Sequence, residues 1–390
     1  MVAVAVVGVW LTTVPEARSQ ARAWFVPAVS LGVSHDDNLF LAPDGPADTF
    51  THIRPSVEGA YESPTREVRG FAAFDAQVSA QYPSLTALGA RRNALIDARV
   101  RPTPFVAVGL GARYDRTDSP AELNLESGIL LGRENATRTQ VTPSVSYRRS
   151  PRTTATAQYD LTTESLAGAP RQSVHAARVG MDYAWSGRTQ WGGRYLARSF
   201  VGSPLDPQYS HALLMAWTRQ VAPNTNLSIQ GGPRVRSYGG LTTEFLASFF
   251  RRKPRQRFLL DYWHGETIVL GVPGPVDVHS GSNRTSWLVR NNLEVTTVVG
   301  VFRSASLTDA RALVYYGGVG GSWTLREFYT LTGIYSANYQ LGDLRRQLPP
   351  DGRLRRGVVV VGVTIAPRLT RIFRPAGLYP APPMTGVLRP

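Results

Sequence analysis

The chain has 390 residues, a formal net charge of +15 and no cysteine. Disulfide stapling, thiolate metal sites and thiol nucleophiles are therefore excluded. A soluble chain of this length would divide into two or three domains, but no composition break marks a boundary, and barrels run longer as one unit.

The N-terminus reads MVAVAVVGVWLTTVPEARSQARAWF, with an apolar run at 2–13 and no basic residues before it. Ser19 and Ala21 are small residues at the −3 and −1 positions of a cleavage site. Residues 1–21 are accordingly expected to be a signal peptide, and the chain to be exported. Beyond it, no run of about 18 apolar residues offers a helical membrane span.

From residue 22 the hydrophobic pattern has period two, the mark of strands wet on one face. Val106, Val108, Leu110, Ala112 and Tyr114 alternate with Ala107, Gly109, Gly111, Arg113 and Asp115. Val141, Pro143, Val145 and Tyr147 alternate with Thr142, Ser144, Ser146 and Arg148. The pattern returns at 155–161, 329–340 and 359–365. The strands run about 10–16 residues, against about 5–6 for globular strands, which is the length a tilted membrane crossing requires.

The connections alternate as well. Short corners such as SPRT (150–153) and SGRT (186–189) recur near 63–66, 102–104, 221–224, 253–255, 292–294 and 324–326. Longer polar connections are expected near 36–50, 83–90, 116–137, 166–171, 202–207, 271–283 and 340–354; those near 237–241 and 307–310 are shorter than this rule predicts. The reading is an all-β, antiparallel up-and-down transmembrane barrel of about 18 strands over residues 22–367. It has short periplasmic turns, longer extracellular loops and both termini in the periplasm. Tyr147, Trp185, Trp191, Trp217 and Trp323 lie beside short corners and are expected to form an aromatic girdle at that interface. The connection at 116–137 carries Leu123, Leu125, Ile129, Leu130 and Leu131, unusual for an exposed loop, and is expected to pack as a short helix inside or on the mouth. After the last strand, 368–390 is a Pro-rich tail.

The charge is carried almost wholly by arginine, with Lys253 the one lysine. No basic helix or cluster stands out, so a nucleic-acid partner is not expected. If the apolar sets face lipid, the opposite sets line the lumen: Arg54, Arg99, Arg101, Arg113, Arg148, Arg178, Arg194 and Arg198, with Glu58, Asp75, Asp97, Asp115, Asp160 and Asp182. Two readings remain open for these arginines. They contact an anionic substrate, to which guanidinium offers paired hydrogen bonds, or they pair with the acids and rigidify the lumen.

No catalytic constellation is legible, and no enzyme, metal or cofactor is expected. His264-Gly265-Glu266 has no cysteine pair to complete a zinc site, and His264 reads as the end of a strand. His175 and His211 lie on strands without a partner evident from spacing. GVGGSW at 318–323 does not lead into a helix and reads as a strand narrowing. Asp36, Asp37, Asn38, Asp44 and Asp48 offer oxygens for calcium, but local Asx turns explain them as well.

The opening VPAVSLGVSHDDNLFLAPDGPADTFTHIRPSVEGAY and the hairpin unit PSVSYRRSPRTTATAQYDLTTES, with relatives at 183–200 and 217–232, resemble the β-barrel porin type 2 group of bacterial outer-membrane proteins. The resemblance spans about residues 25–367. It implies an outer-membrane location and a conduit or accessory pore for export of an anionic exopolysaccharide or capsular polysaccharide. Its implied partners are outer-membrane lipid and lipopolysaccharide, the barrel-assembly machinery and periplasmic polysaccharide-export components. Chains of this group often finish in an aromatic residue; here Phe373, inside the tail, reads as a displaced terminal aromatic. A general or solute-specific porin and a closed structural barrel are the alternatives.

Overall fold

A computed structural model describes residues 21–367, apart from 43–44, 125, 203–204, 327 and 345–351. The expected leader up to Gln20, Asp44, Leu125 and the 368–390 tail with Phe373 lie outside the described residues.

The strands in chain order are β1 (Arg22–Asp36), β2 (Asp48–Glu62), β3 (Arg66–Ser79), β4 (Ala87–Thr103), β5 (Val106–Thr117) and β6 (Ala136–Ser150). Then follow β7 (Thr153–Leu166), β8 (Gln172–Ser186), β9 (Thr189–Gly202), β10 (Leu205–Ala222), β11 (Thr225–Arg236) and β12 (Gly240–Lys253). The last are β13 (Gln256–Val269), β14 (Val272–Arg290), β15 (Leu293–Ser306), β16 (Arg311–Leu325), β17 (Tyr329–Gly342) and β18 (Arg353–Ile365). Each pairs antiparallel with its neighbours in one 18-stranded sheet, and β1 pairs with both β2 and β18, so the sheet closes. The expected strand count and barrel class hold. Both terminal strands begin or end on the side of the short turns.

The period-two pattern sorts side chains as the barrel requires. Along β1, Phe25, Val29, Leu31 and Val33 are exposed while Val26 and Asp36 are buried. Leu213 and Met215 on β10 are 63% and 69% exposed, whereas Ala212, Leu214 and Ala216 between them are buried. A continuous outer surface of this kind is untenable in water and natural against lipid tails. Among the described residues no helix is long and apolar enough to cross a membrane; the crossing is made by strands. Tyr147, Trp185, Trp191, Trp217 and Trp323 all point outward near short turns, and Trp191 and Trp217 are cross-strand partners with ring centroids 6.3 Å apart.

Three expectations need correction. The segment 271–283 is no loop: β14 starts at Val272, and only Leu270 and Gly271 connect it to β13. Its glycines and prolines suggested a connection, but a positive φ at Gly271 (72°) serves a tight turn. The connection expected at 202–207 is likewise shorter, because β10 begins at Leu205. The 116–137 segment forms no α-helix. Its described residues hold one 3-10 turn, Pro120–Glu122, and several of its polar groups bond to the barrel wall instead of within a helix.

Gly232-Pro233 interrupts the β10–β11 ladder between the Met215–Gly231 and Ala212–Arg234 pairs. A Cβ at Gly232 would lie 1.9 Å from the Leu213 carbonyl oxygen. Gly232→Val is expected to lower the temperature at which the detergent-refolded barrel loses its compact gel mobility. Gly193→Ala, where nothing lies within 4 Å of the new Cβ, leaves that temperature unchanged.

Candidate functional site

The site is the mouth of the barrel on the long-loop side, where two segments fold inward. The first is the β5–β6 loop, residues 118–135. It is tied to the near wall by Glu122, which accepts from Arg91 Nε at 3.0 and 2.9 Å and from Nη2 at 2.6 Å. Gln77 Nε2 donates to Asp118 Oδ2 at 2.7 Å. It then reaches the far wall: Gln340 Oε1 of β17 accepts from Leu130 N at 2.8 Å, Asn124 Oδ1 accepts from Leu270 N at 3.3 Å, and Thr267 donates to Glu126. The loop therefore crosses the lumen.

The second segment is the tip of the β13–β14 hairpin. The β12–β13 ladder stops at Phe245–His264, although β13 continues to Val269. Beyond that point the hairpin leaves the wall and leans across the inner faces of β11 and β12. Gln172 of β8 donates to Val272 O at 2.7 Å. The two segments meet in a dry apolar cluster: Leu123, Ile129 and Leu131 pack with Val269, Leu270, Val272 and Val276. This explains the leucines of the loop. The hairpin's own signal was Ile268, Val269, Leu270 and Val272, apolar on both strand faces, as in a strand buried on both sides.

Charges occupy the space between hairpin and wall. Arg234 is fully buried, with Nη2 3.2 Å from Asp277 Oδ2, Nε 3.4 Å from Glu266 Oε1 and Nη1 3.8 Å from Glu244 Oε2. Arg198 makes a two-pronged bond to Glu244 at 2.7 and 2.5 Å. Tyr238, in the β11–β12 turn, donates to Glu266 at 2.5 Å; burial and that carboxylate push its hydroxyl well up. His264, Asp277 and His279 bring ligand atoms within 4.8 Å of one another. They are built as part of an ion-pair network, not as a cation site. The two imidazoles stack 3.9 Å apart at 7°, so their lone pairs do not converge, and Asp277 already faces Arg234, Arg236 and His264.

The closing seam carries the third cluster. Arg356 of β18 donates to Asp36 Oδ1 at 3.1 Å and to Oδ2 at 2.7 Å, and also reaches Ser119 Oγ of the crossing loop at 3.3 Å. Arg133 of the loop pairs with Asp118 at 2.5 Å and lies over the Phe50 ring. The acids weighed for calcium are spent here: Asp37 accepts from Gly357 N, Asn38 donates to Ala42 O and Arg355 O, and Asp48 accepts from Ser79, Thr49 N and Gln81 N.

The eight arginines read from the sequence all fall on inward positions, but they divide. Arg54 donates to Asn93, Arg113 to Asp115, Arg194 to Gln230 and Arg198 to Glu244. Arg99, Arg101, Arg148 and Arg178 form no ion pair among the described residues; the first three lie toward the short-turn rim. That rim also holds a basic cluster the sequence reading missed, Arg251-Arg252-Lys253-Pro254-Arg255-Gln256-Arg257. The run is contiguous and was legible; it was passed over because no basic helix accompanied it. Arg252 and Arg257 are direct cross-strand partners on the inward face, beside an open groove that Ser286 and Glu294 also line. Like charges placed opposite one another repel, so this rim is poised for anions.

No protein-family model and no curated relative matches the chain. Solved structures do. Acinetobacter baumannii OccAB4 aligns at 8% identity with a TM-score of 0.51, over 90% of this chain and 100% of that one. Pseudomonas aeruginosa OpdL aligns at 10% identity and 0.47, over 88% and 99%. The outer membrane protein OpdK of the same organism aligns at 14% identity and 0.44, over 88% and 99%. At these identities the likeness is one of fold. A membrane β-barrel is the class that fold and surface define; the polysaccharide-associated group implied by the sequence resemblance gains no support.

Arg234→Met leaves Glu266 buried without its guanidinium and is expected to destabilise the barrel by about 3–5 kcal/mol, read as a lower urea midpoint in detergent. Arg234→Met with Glu266→Gln should recover much of that loss.

Proposed function

We propose that the chain is an outer-membrane channel for small anionic solutes, constricted at its long-loop mouth. The observation that carries this reading is the crossing of the lumen by the 118–135 loop and the 265–278 hairpin above a polar vestibule. An 18-stranded barrel is wide enough for an aqueous channel, and the crossing segments narrow it. Below them the inward residues include small or hydroxylic ones, Ser56, Gly109, Gly111, Ser144, Ser228 and Ser282, which leave room in the bore. Arg99, Arg101, Arg148, Arg252 and Arg257 then give the short-turn end a positive potential that concentrates anions. The OccAB4 likeness supports the barrel on which this rests.

A wide conduit for a polysaccharide chain fits less well. A polymer would have to displace both crossing segments and open the apolar cluster between them. The arginines nearest the constriction are already matched by carboxylates, so the pull on anions comes from the short-turn rim.

Single-channel recording in a planar bilayer tests the reading. The wild type should show a small, anion-preferring conductance. Arg99, Arg101, Arg148 and Arg257 changed together to Gln should bring the anion-to-cation permeability ratio toward one. Deleting 121–133 should raise conductance, and a barrel still silent after that deletion is not a channel.

A further inference from the structure

The lipid-facing surface divides its charges in a way that the lumen does not. Among the described residues the outward positions carry few carboxylates: Asp277, opposite Ala305 on the β14–β15 ladder, is taken by Arg234, Arg236 and His264, and Asp37, just past β1, accepts from Gly357 N. The other outward charges are cations, and they stand at the strand ends. At the long-loop end they are Arg92, Arg116, Arg303, Arg311, Arg353 and Arg355. Five of these six are exposed. None takes part in an ion pair among the described residues, while the inward arginines near the same end, Arg91, Arg138, Arg198 and Arg234, all do.

Their depth is set by the sequence. Tyr315 and Tyr339 are outward cross-strand partners with ring centroids 6.4 Å apart. Arg355 is the cross-strand partner of Tyr339, and Arg311 lies four residues beyond Tyr315 on β16, about 13 Å along the strand. Interfacial tyrosine rings mark the boundary between lipid tails and headgroups. The guanidinium groups therefore stand at or just beyond headgroup depth.

Histidines join them. Tyr159–His175, Tyr195–His211 and Tyr262–His279 are three outward tyrosine–histidine bonds of 2.6, 2.8 and 3.1 Å, each on the same cross-strand diagonal. His279 is also the cross-strand partner of Arg303, and Arg311 sits on the neighbouring diagonal. Arg92 and Arg116 are direct partners of like charge. Two cations side by side, facing lipid, and in no ion pair with an acid among the described residues, call for an external anion.

We propose that the long-loop rim is a docking surface for anionic lipids whose headgroups carry phosphate, with Arg303–Arg311, Arg353–Arg355 and Arg92–Arg116 as three separate phosphate-binding pairs. Guanidinium matches phosphate by its planar fork of donors. The inference rests on the membrane-barrel reading above but concerns its outer face, not its lumen. The lipid fixes the depth of the barrel and supplies counter-charge to rim arginines that form no ion pair among the described residues.

The test compares spin-labelled phosphatidic acid with spin-labelled phosphatidylcholine in phosphatidylcholine vesicles holding the full barrel, measuring the fraction of label held immobile at the protein surface. The wild type should favour phosphatidic acid by about threefold. Changing Arg303, Arg311, Arg353 and Arg355 to Gln should reduce that preference by about half, the short-turn cations accounting for the rest. If this variant fails to give the compact gel species, Arg92→Gln with Arg116→Gln reads the opposite side of the rim and should show a smaller drop. Equal association of both lipids with the wild type, or an undiminished preference in the folded variants, overturns the proposal. A complete lack of immobilised lipid of either kind would instead overturn the membrane-barrel reading itself.

Discussion

Hydrocarbon offers no partner to a backbone amide, and an amide left unpaired there costs several kcal/mol. This constraint fixes the rest of the molecule. Every strand edge must be taken up by another, so β1 has to meet β18 as well as β2. Antiparallel neighbours linked in sequence then need strands that span the same depth. Alternation of side chains follows from the pleat, and each strand acquires one lipid face and one lumen face with no freedom to exchange them.

Within that frame the arginines do three different jobs, separated by position and not by type. Those high in the lumen sit against carboxylates and stitch the crossing segments to the wall. The pairs that Arg198 makes with Glu244 and Arg356 with Asp36 are largely buried, and Arg234 is fully so, so each partner relies on the other to offset its desolvation. Arg99, Arg101 and Arg148, near the short-turn rim, form no ion pair among the described residues, although Glu67 stands opposite Arg99, and they colour the vestibule positive. Those on the outside form no ion pair among the described residues either, but face lipid. One residue type thus serves as rivet, attractant and anchor according to depth and face.

Much of this was legible in the sequence. Period two, long strands and recurrent corners gave the barrel, its strand number and the outward aromatics, because lipid imposes a regular demand on every strand. The leucines of the 116–137 connection signalled burial, since leucines in a water-exposed loop have no reason to recur. What the sequence concealed was irregular. The inward lean of the β13–β14 hairpin depends on long-range contacts such as Gln172 to Val272, for which no local pattern exists. Its glycines and prolines carried the signature of a loop while its backbone remained extended. The partner of each lumen arginine was equally hidden: Arg198 finds Glu244 three strands on, and Arg356 finds Asp36, a separation that only closure brings together.

The seam cluster has a consequence for the order of assembly. Asp36 belongs to the first strand, Arg356 to the last, and Ser119 and Arg133 to the loop that crosses the mouth. Arg356 holds Asp36 and Ser119 at once. Contacts so distant along the chain form late, since bringing the ends together is costly in entropy. A nascent barrel whose first and last strands have not met therefore lacks one of the anchors of its crossing loop, which until then is held by Arg91 on one wall and Gln340 and Leu270 on the other. The final pairing of the wall and the last fastening of the segment across the passage thus fall together, so the strand pair that seals the barrel also fixes its constriction.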